Sequence, residues 1–133
     1  MSLPQLTRRG MAGLLLLGVA ACGDSAGPGY DPVILNTADN FSFEIAGMSD
    51  VTETRQYTWQ NTGTTAVVTR TTSVSAGTGT LTILDDAGTQ VYSAPLNTES
   101  SGSTQSGVAG SWTIRVELTS AGGGFNFLVE RGS

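Results

Sequence analysis

The chain has 133 residues, of which 11 are acidic and six are arginines, so its formal net charge is −5. It contains no His, no Lys and a single Cys. These counts exclude a Ser/His/Asp triad, a lysine Schiff base, an internal disulfide and a Cys-based metal cluster, and they argue against nucleic acid as a partner.

The first 21 residues have the layout of a secretory signal. Arg8 and Arg9 carry the only charges of this segment, and residues 11–21 are apolar or Gly throughout. A basic stretch followed by a short apolar run is typical of an export signal, whereas a span of the bilayer needs about 20 apolar residues. We therefore expect residues 1–21 to be a signal peptide with a helical apolar part. Thr7, Arg8 and Arg9 also resemble a twin-arginine signal, but the residues that follow them favour the general secretory route.

The apolar run ends in the tetrad Val19-Ala20-Ala21-Cys22, which resembles the lipobox of bacterial lipoproteins. In that family the signal is cut directly before the Cys, and the Cys thiol carries lipid. The resemblance implies that Cys22 is the first mature residue and the membrane anchor, with Val19 standing where the family most often has Leu. Two or more acyl chains anchor a protein stably, since each buried CH₂ contributes about 0.8 kcal/mol. The implied location is the cell envelope, facing the periplasm or the outer surface.

Cleavage before Cys22 would leave 112 residues with a formal net charge of −7. Residues 22–32 would be the lipidated Cys and a tether, because Gly, Pro, Asp and Ser dominate this aperiodic stretch. Residues 33–131 are enough for one domain with one modest core.

Alternation of apolar and polar residues predicts β-strands along this whole domain. No window after residue 30 has the 3.6-residue period of a helix, and clusters of Gly, Asn, Asp and Ser separate the alternating segments. Seven or eight short strands of this kind predict an all-β fold, an antiparallel β-sandwich. The predicted strands are Phe41–Ile45, Thr52–Gln60, Thr65–Val74, Thr80–Ile83, Val91–Ser93, Trp112–Leu118 and Phe125–Val129, with turns at Asn61–Gly63, Ser75–Gly79, Asp85–Gly88 and Ala121–Gly124.

Three stretches of the domain look like parts of one known family. Residues 57–72 contain a Tyr-Thr-Trp strand and a Gly turn, residues 79–91 contain a central hairpin, and residues 110–129 contain a closing pair of strands. Together they resemble the bacterial pre-peptidase C-terminal domain. The resemblance implies a jelly-roll-like sandwich and a non-catalytic accessory role in exported proteins, with carbohydrate or matrix binding in some members. No functional residue of that family is assigned to a position of this chain.

Aromatic side chains are the candidates for stacking on a ligand. Trp112 lies on the same face of its predicted strand as Ile114 and Val116, which predicts a place in the core. Trp59 and Tyr92 have few apolar neighbours on the same face of their predicted strands. If one exposed aromatic side chain binds a ligand, Trp59 is the preferred candidate, although a core position is also open to it.

The acidic residues give no clear catalytic or metal site. Asp85 and Asp86 are predicted to cap a turn, because no regular spacing supplies the six or more oxygens that Ca²⁺ needs. Strand-end turns are predicted for Asp39-Asn40 and Asp50, where a shared cation site is the alternative. The remaining glutamates are predicted to be solvated. Glu44, Glu117 and Glu130 lie on the outward faces of predicted strands, whereas the pattern does not assign Glu53 to either face.

The arginines and the longest polar stretch also have structural interpretations. Arg55, Arg70 and Arg115 lie in predicted strands, where pairing with Glu53 or Glu117 is plausible. Residues 99–107 are small, polar and interrupted by Gly, which predicts a mobile loop. This loop has no aromatic or Arg anchor of the kind that dominates binding energy.

The function predicted from the sequence is that of a lipid-anchored, non-catalytic binding module of the cell envelope. Its expected partners are the membrane, through Cys22, and an envelope polysaccharide or protein, with no cofactor, no metal and no nucleic acid. The alternative is a structural subunit whose Thr-rich strands pair edge to edge, and the remote alternative is a small hydrolase.

Overall fold

Six β-strands account for most of residues 31–132, the part of the chain that the computed structural model describes. The predictions for the signal peptide, Cys22 and most of the tether lie outside these residues. Within residues 31–132 there is no helix, and therefore none long and apolar enough to cross a bilayer. The strands are β1 (Val33–Thr37), β2 (Asn40–Asn61), β3 (Ala66–Leu84), β4 (Gln90–Pro95), β5 (Ser100–Ser103) and β6 (Gly110–Arg131).

All strand pairs are antiparallel and belong to one continuous sheet. Its order is β1-β2-β6-β3-β4, with β5 paired to β3. The last strand, β6, is central, because it pairs with β2 on one side and with β3 on the other along almost its whole length.

The three long strands bend, and each contributes to two layers. In β2 the register shifts between Ile45 and Glu53, and in β3 it shifts between Val74 and Thr78. Such bulges bend a strand and increase its twist. Two faces of the sheet therefore pack together as a β-sandwich, which confirms the predicted fold class. The five-stranded layer contains 33–37, 40–45, 125–131, 66–74 and 100–103, and the four-stranded layer contains 53–61, 110–118, 78–84 and 90–95.

The strand count differs from the prediction because three pairs of predicted strands are continuous. The expected turns at Ser75–Gly79 and Ala121–Gly124 are bends inside β3 and β6. Gly123 makes the second bend possible, since its φ is 89° and an added Cβ would lie 2.3 Å from the carbonyl oxygen of Ser73. The chain thus changes layer at this point without reversing its direction.

Two short strands were not predicted. Strand β1 precedes the first alternating segment, and β5 lies inside the stretch that was predicted to be a mobile loop. That loop prediction is wrong for Ser100–Ser103, which pair with residues 67–70 of β3. Small polar residues form this strand because its partner is already fixed in the sheet, not because of their own strand propensity.

Aromatic rings fill the space between the layers. Phe43 and Phe127 stack with ring centroids 5.3 Å apart, and Phe125 continues the stack at 5.5 Å from Phe43. Tyr57, from the other half of β2, contacts Phe41 at 5.5 Å and so joins the two layers. Offset and tilted ring pairs of this kind contribute about 0.5–1.5 kcal/mol beyond their burial.

Candidate functional site

A row of polar side chains crosses the outer face of the five-stranded layer. Glu44 on β2 lies opposite Asn126 on β6, which in turn lies opposite Thr71 on β3. All three residues are exposed. Adjacent strands are about 4.8 Å apart, so the three head groups span about 10 Å.

This polar row belongs to a shallow depression of about 140 Å³. The depression lies beside the bends, since the register of β2 shifts after Ile45 and that of β3 shifts after Val74. Bulges are common next to functional sites because they re-aim side chains. The lining residues are Glu44, Ile45, Ala46, Thr71, Thr72, Ser73, Phe125 and Asn126.

The polar groups of the depression divide into two sets. Thr72 Oγ1 accepts from the N–H of Val74, and Ser73 Oγ donates to the carbonyl of Gly124, so both hydroxyls serve the fold. Within residues 31–132 the side chains of the polar row, Glu44, Asn126 and Thr71, make no hydrogen bond.

The polar row offers acceptors from a carboxylate, a donor and an acceptor from an amide, and both from a hydroxyl. That combination suits a ligand with neighbouring hydroxyl groups. Glu44 is the single carboxylate among the lining residues, whereas glycosidase chemistry uses two carboxyl groups that flank the bond.

Trp59 takes the core position that the sequence left open and cannot serve as the exposed stacking candidate. The side chain is fully buried, and its ring meets Trp112 edge to face at 6.0 Å. Its Nε1–H donates to the carbonyl oxygen of Thr37 at 3.0 Å. A ring without exposed surface cannot stack on a sugar, so Trp59 belongs to the core. The core position predicted for Trp112 is confirmed.

Asp85 and Asp86 cap a turn, as predicted, and they also join it to a distant segment. Asp85 Oδ1 accepts from the N–H groups of Ala87 and Thr89, and its Oδ2 accepts from the N–H of Val108 at 2.8 Å. Asp86 Oδ1 accepts from the N–H of Ser111. The two acids therefore connect the β3–β4 turn to the start of β6.

The hydrogen bonds to Asp85 have an electrostatic consequence. Backbone N–H groups, first of all that of Val108 and then that of Thr89, stabilise the carboxylate and lower the pKa of Asp85 below its usual 3.8, against the opposing effect of desolvation.

Asp39 lies in the β1–β2 turn, and its carboxylate joins that turn to the loop after β2. The backbone N–H of Thr62 donates to its Oδ1, and the Thr62 hydroxyl also donates to the carboxylate. These bonds lower the pKa of Asp39, with the backbone bond as the largest cause. Asp50 lies in the bent part of β2, not at a strand end as predicted. In the described chain no group of three acidic side chains is placed to hold a metal ion.

The other charged residues lie mostly where alternation predicts them. The outward positions of Glu44, Glu117 and Glu130 are confirmed by their exposure. Glu53 is partly buried and pairs with Arg55 of the same strand at 2.6 Å. Arg115 donates to Gln56 of the neighbouring strand, whereas Arg70 is not a surface residue at all.

Arg70 is buried and connects β3 to the last residue of β4 and to the chain that follows it. Its Nη1 donates to the carbonyls of Pro95 and Thr98 and to the Thr98 hydroxyl. Only 8% of the residue is exposed. No local pattern indicates this role, because Arg70 lies among Thr residues in the same way as an ordinary surface Arg.

The sequence also could not identify the polar row. Alternation placed Glu44 on an outward row, but the three residues come from strands up to 82 positions apart and meet only through the registers of β2, β6 and β3. No local motif marks Asn126 or Thr71.

Comparisons with known proteins add little to this geometry. The chain matches no protein-family model, and no curated protein matches it. Among solved structures, it is similar to an arabinose-bound α-L-arabinofuranosidase with a TM-score of 0.38 and 15% identity. The similarity covers 76% of this chain and 21% of that structure, so the chain spans about a fifth of the enzyme's length.

Proposed function

We propose that the protein is an exported, lipid-anchored, non-catalytic binding module of the bacterial cell envelope. Cys22 would carry the lipid, and the β-sandwich would present the depression on its five-stranded layer to a hydroxyl-rich envelope polymer such as a polysaccharide. The observation that carries the binding role is the polar row, whose three exposed side chains have no partner within residues 31–132.

The composition of the depression supports binding without catalysis. Its lining contains one carboxylate, no His and no Lys. The ring systems of Trp59 and Trp112 are committed to the core, so recognition would rest on hydrogen bonds to hydroxyl groups. Exposed bonds of this kind contribute modestly one by one, which suits a module that binds a repeating polymer at many sites.

The binding proposal is tested by paired substitutions in the depression and away from it. Purified envelope polysaccharide is titrated against Asn126→Ala and Thr71→Ala, and against the controls Asn97→Ala and Thr54→Ala, whose side chains are exposed elsewhere. We expect each depression variant to weaken binding about 5- to 10-fold, as for a lost hydrogen bond of about 1 kcal/mol or slightly more. Equal affinities in all four variants would contradict the proposed site.

The anchoring proposal has a separate test. In cells, Cys22→Ser removes the thiol that would carry the lipid, so the protein should move from the membrane fraction to the soluble fraction. Cys22 is the only Cys, and no other thiol can replace it. Unchanged membrane association of Cys22→Ser would end the lipoprotein interpretation.

A structural subunit is the second candidate, and one observation favours it. Strand β1 has exposed apolar side chains at Val33, Ile34 and Leu35 and lies at an edge of the sheet. An exposed apolar edge is a ready site for pairing with another strand.

A further inference from the structure

Carboxylates lie at three places on the outer face of the five-stranded layer. Glu44 belongs to the polar row. Glu130 is on the same face four residues beyond Asn126 on β6, because alternate residues of a strand share a face. Glu99 directly precedes β5, and its carboxylate accepts from the N–H of Thr72, which lines the depression. All three glutamates are exposed, so this face carries three formal negative charges around the depression.

The arginines of the described chain lie elsewhere. Arg70 points into the sandwich, and Arg55 and Arg115 belong to the four-stranded layer. Arg131 lies on the opposite side of β6 and donates to Thr62. The sequence has no Lys and no His. Within residues 31–132, therefore, no cationic side chain lies on the outer face of the five-stranded layer to balance its carboxylates.

This separation of charge restricts what the depression can bind. An anionic polymer would be repelled by the face, and a neutral polymer would leave the charge of Glu44 unpaired. A carboxylate accepts hydrogen bonds, whereas an ammonium group only donates them, and such charge-assisted bonds are stronger than neutral ones. We infer that the hydroxyl-rich polymer of the proposed function also carries free, protonated amino groups, as a polymer of amino sugars does. The inference rests on the proposed function for the polymer and adds its chemical class.

The three carboxylates have different parts in this recognition. Glu44 lies beside Asn126 in the polar row, so an amino group on Glu44 leaves Asn126 and Thr71 for neighbouring hydroxyl groups. Glu99 already accepts a backbone hydrogen bond, and Glu130 is about 13 Å from Asn126 along β6. These two glutamates attract a cationic polymer to the face, whereas Glu44 binds its amino group directly.

The test compares two hexasaccharides that differ in one group per sugar. The glucosamine hexamer has an amino group where cellohexaose, the matching glucose hexamer, has a hydroxyl group. Both are titrated against the full-length protein, purified from cells in neutral detergent, in mildly acidic buffer that keeps the amines protonated. At low salt we expect the amino hexamer to bind about fivefold more tightly or better, as for one or more exposed ion pairs. Equal affinities at low salt would overturn the inference.

Salt and one substitution then locate the charge. About 1 M NaCl shortens the screening length to about 3 Å and should remove most of the preference. Glu44→Gln should reduce the preference about two- to fivefold, with little change in the affinity for cellohexaose. The matched control is Glu117→Gln, an exposed acid on the outward face of the four-stranded layer, which should leave the preference unchanged. A preference that survives Glu44→Gln, or that falls equally in Glu117→Gln, would contradict the role of Glu44.

A lysine hexapeptide distinguishes an amino sugar from any other cation. It carries the same number of side-chain amino groups as the glucosamine hexamer but no hydroxyl groups, so it cannot use Asn126 and Thr71 in the same way. We expect it to bind more weakly than the glucosamine hexamer and to be insensitive to Asn126→Ala. Equal affinity for the peptide and the amino hexamer would make the face a general site for cations and would reject the sugar class.

Failure of this inference and failure of the proposed function give different results. If the two hexamers bind equally and Asn126→Ala weakens both, the binding of hydroxyl groups stands and the amino class is rejected. The amino class is also rejected if purified envelope polysaccharide binds but neither hexamer does. A preference for the amino hexamer without any effect of Asn126→Ala would keep the carboxylate site and reject the polar row as the binding site for hydroxyl groups. Absence of binding to all of these sugars would reject both.

Discussion

The Asp85 carboxylate connects two parts of the chain, because it binds its own turn and also Val108, which is 23 residues further along. Its two oxygens hold the β3–β4 turn and the N–H of Val108, directly before β6. The hydrogen bonds are stronger to the carboxylate than to the carboxylic acid, which is why they lower the pKa of Asp85. Stability should therefore depend on the charge of this one residue.

We expect Asp85→Asn to lower the melting temperature near pH 7, by an amount that shrinks in acid. A lowered folded-state pKa gives stability that is fully present above the usual value of 3.8 and is lost as the pH falls through the lowered value. Thermal unfolding of both proteins between pH 7 and pH 2 measures the difference. Glu117→Gln, which changes an exposed acid, is the control. A constant difference between Asp85→Asn and the unchanged protein across this range would contradict the assigned role of the carboxylate.

Trp59 shows why burial of a single residue is hard to predict from a sequence. Its inward row on β2 also holds Glu53 and Arg55, so alternation gives a weak apolar signal. Burial comes from Trp112 on β6 and from the end of β1, which accepts the indole N–H. Neither contact is local in sequence, whereas Trp112 could be predicted from the apolar residues on its own strand.

Replacing Trp59 with Ala should therefore cost about 3–5 kcal/mol of unfolding free energy, the range for truncating a buried aromatic side chain. It would also leave the carbonyl of Thr37 without its indole donor. Val108→Ala, at an exposed position, should change stability by less than about 0.5 kcal/mol. Urea unfolding measures both variants. A cost for Trp59→Ala as small as that of Val108→Ala would place the ring outside the core.

At the scale of elements, the long bent strands explain both what the sequence could predict and what it could not. Apolar alternation identified both halves of β6, the first half of β2 and the second half of β3, because that pattern is set by burial on one face, and β-branched residues identified Thr65–Val74. The Gly-rich segments between the halves looked like turns, since the same residues serve reversals and bends. Only the pairing across a bend, such as Val51 with Ala121, distinguishes the two cases.

The bend of β6 should depend on Gly123. An Ala there would need a positive φ of 89° and would bring its Cβ to 2.3 Å from the carbonyl oxygen of Ser73. We expect Gly123→Ala to lower the free energy of unfolding by about 2 kcal/mol or more. Gly102→Ala is the matched control, because no atom lies within 4 Å of its added Cβ and no positive φ applies. Comparable stabilities in urea would mean that the bend does not require glycine.

For the whole molecule, the shared strands make the two layers parts of one folding unit. The halves of β2, β3 and β6 that form the five-stranded layer continue directly into the four-stranded layer. Strand β6 pairs with β2 and β3 in both layers, for example through Asn40 with Glu130 and Trp59 with Trp112, so β6 must be in place before either layer is complete. The polar row also depends on this arrangement, since Asn126 lies between strands that the sequence alone could not order.

Unfolding of the domain, residues 24–133, should consequently be a single cooperative transition. Trp59 and Trp112 lie in the four-stranded layer, so their fluorescence reports on that layer, while amide exchange at Phe127 and Val129 reports on the five-stranded layer. We expect the same midpoint and the same free energy from both probes, as two-state behaviour requires. Refolding should take milliseconds to seconds, because the two longest strand pairs, β2 with β6 and β3 with β6, join residues that are distant in sequence. Loss of amide-exchange protection in the five-stranded layer at a lower denaturant concentration than the fluorescence midpoint would contradict this expectation. The bends would then be hinges between two separately stable sheets, because three rigid continuous strands would make the two layers unfold together.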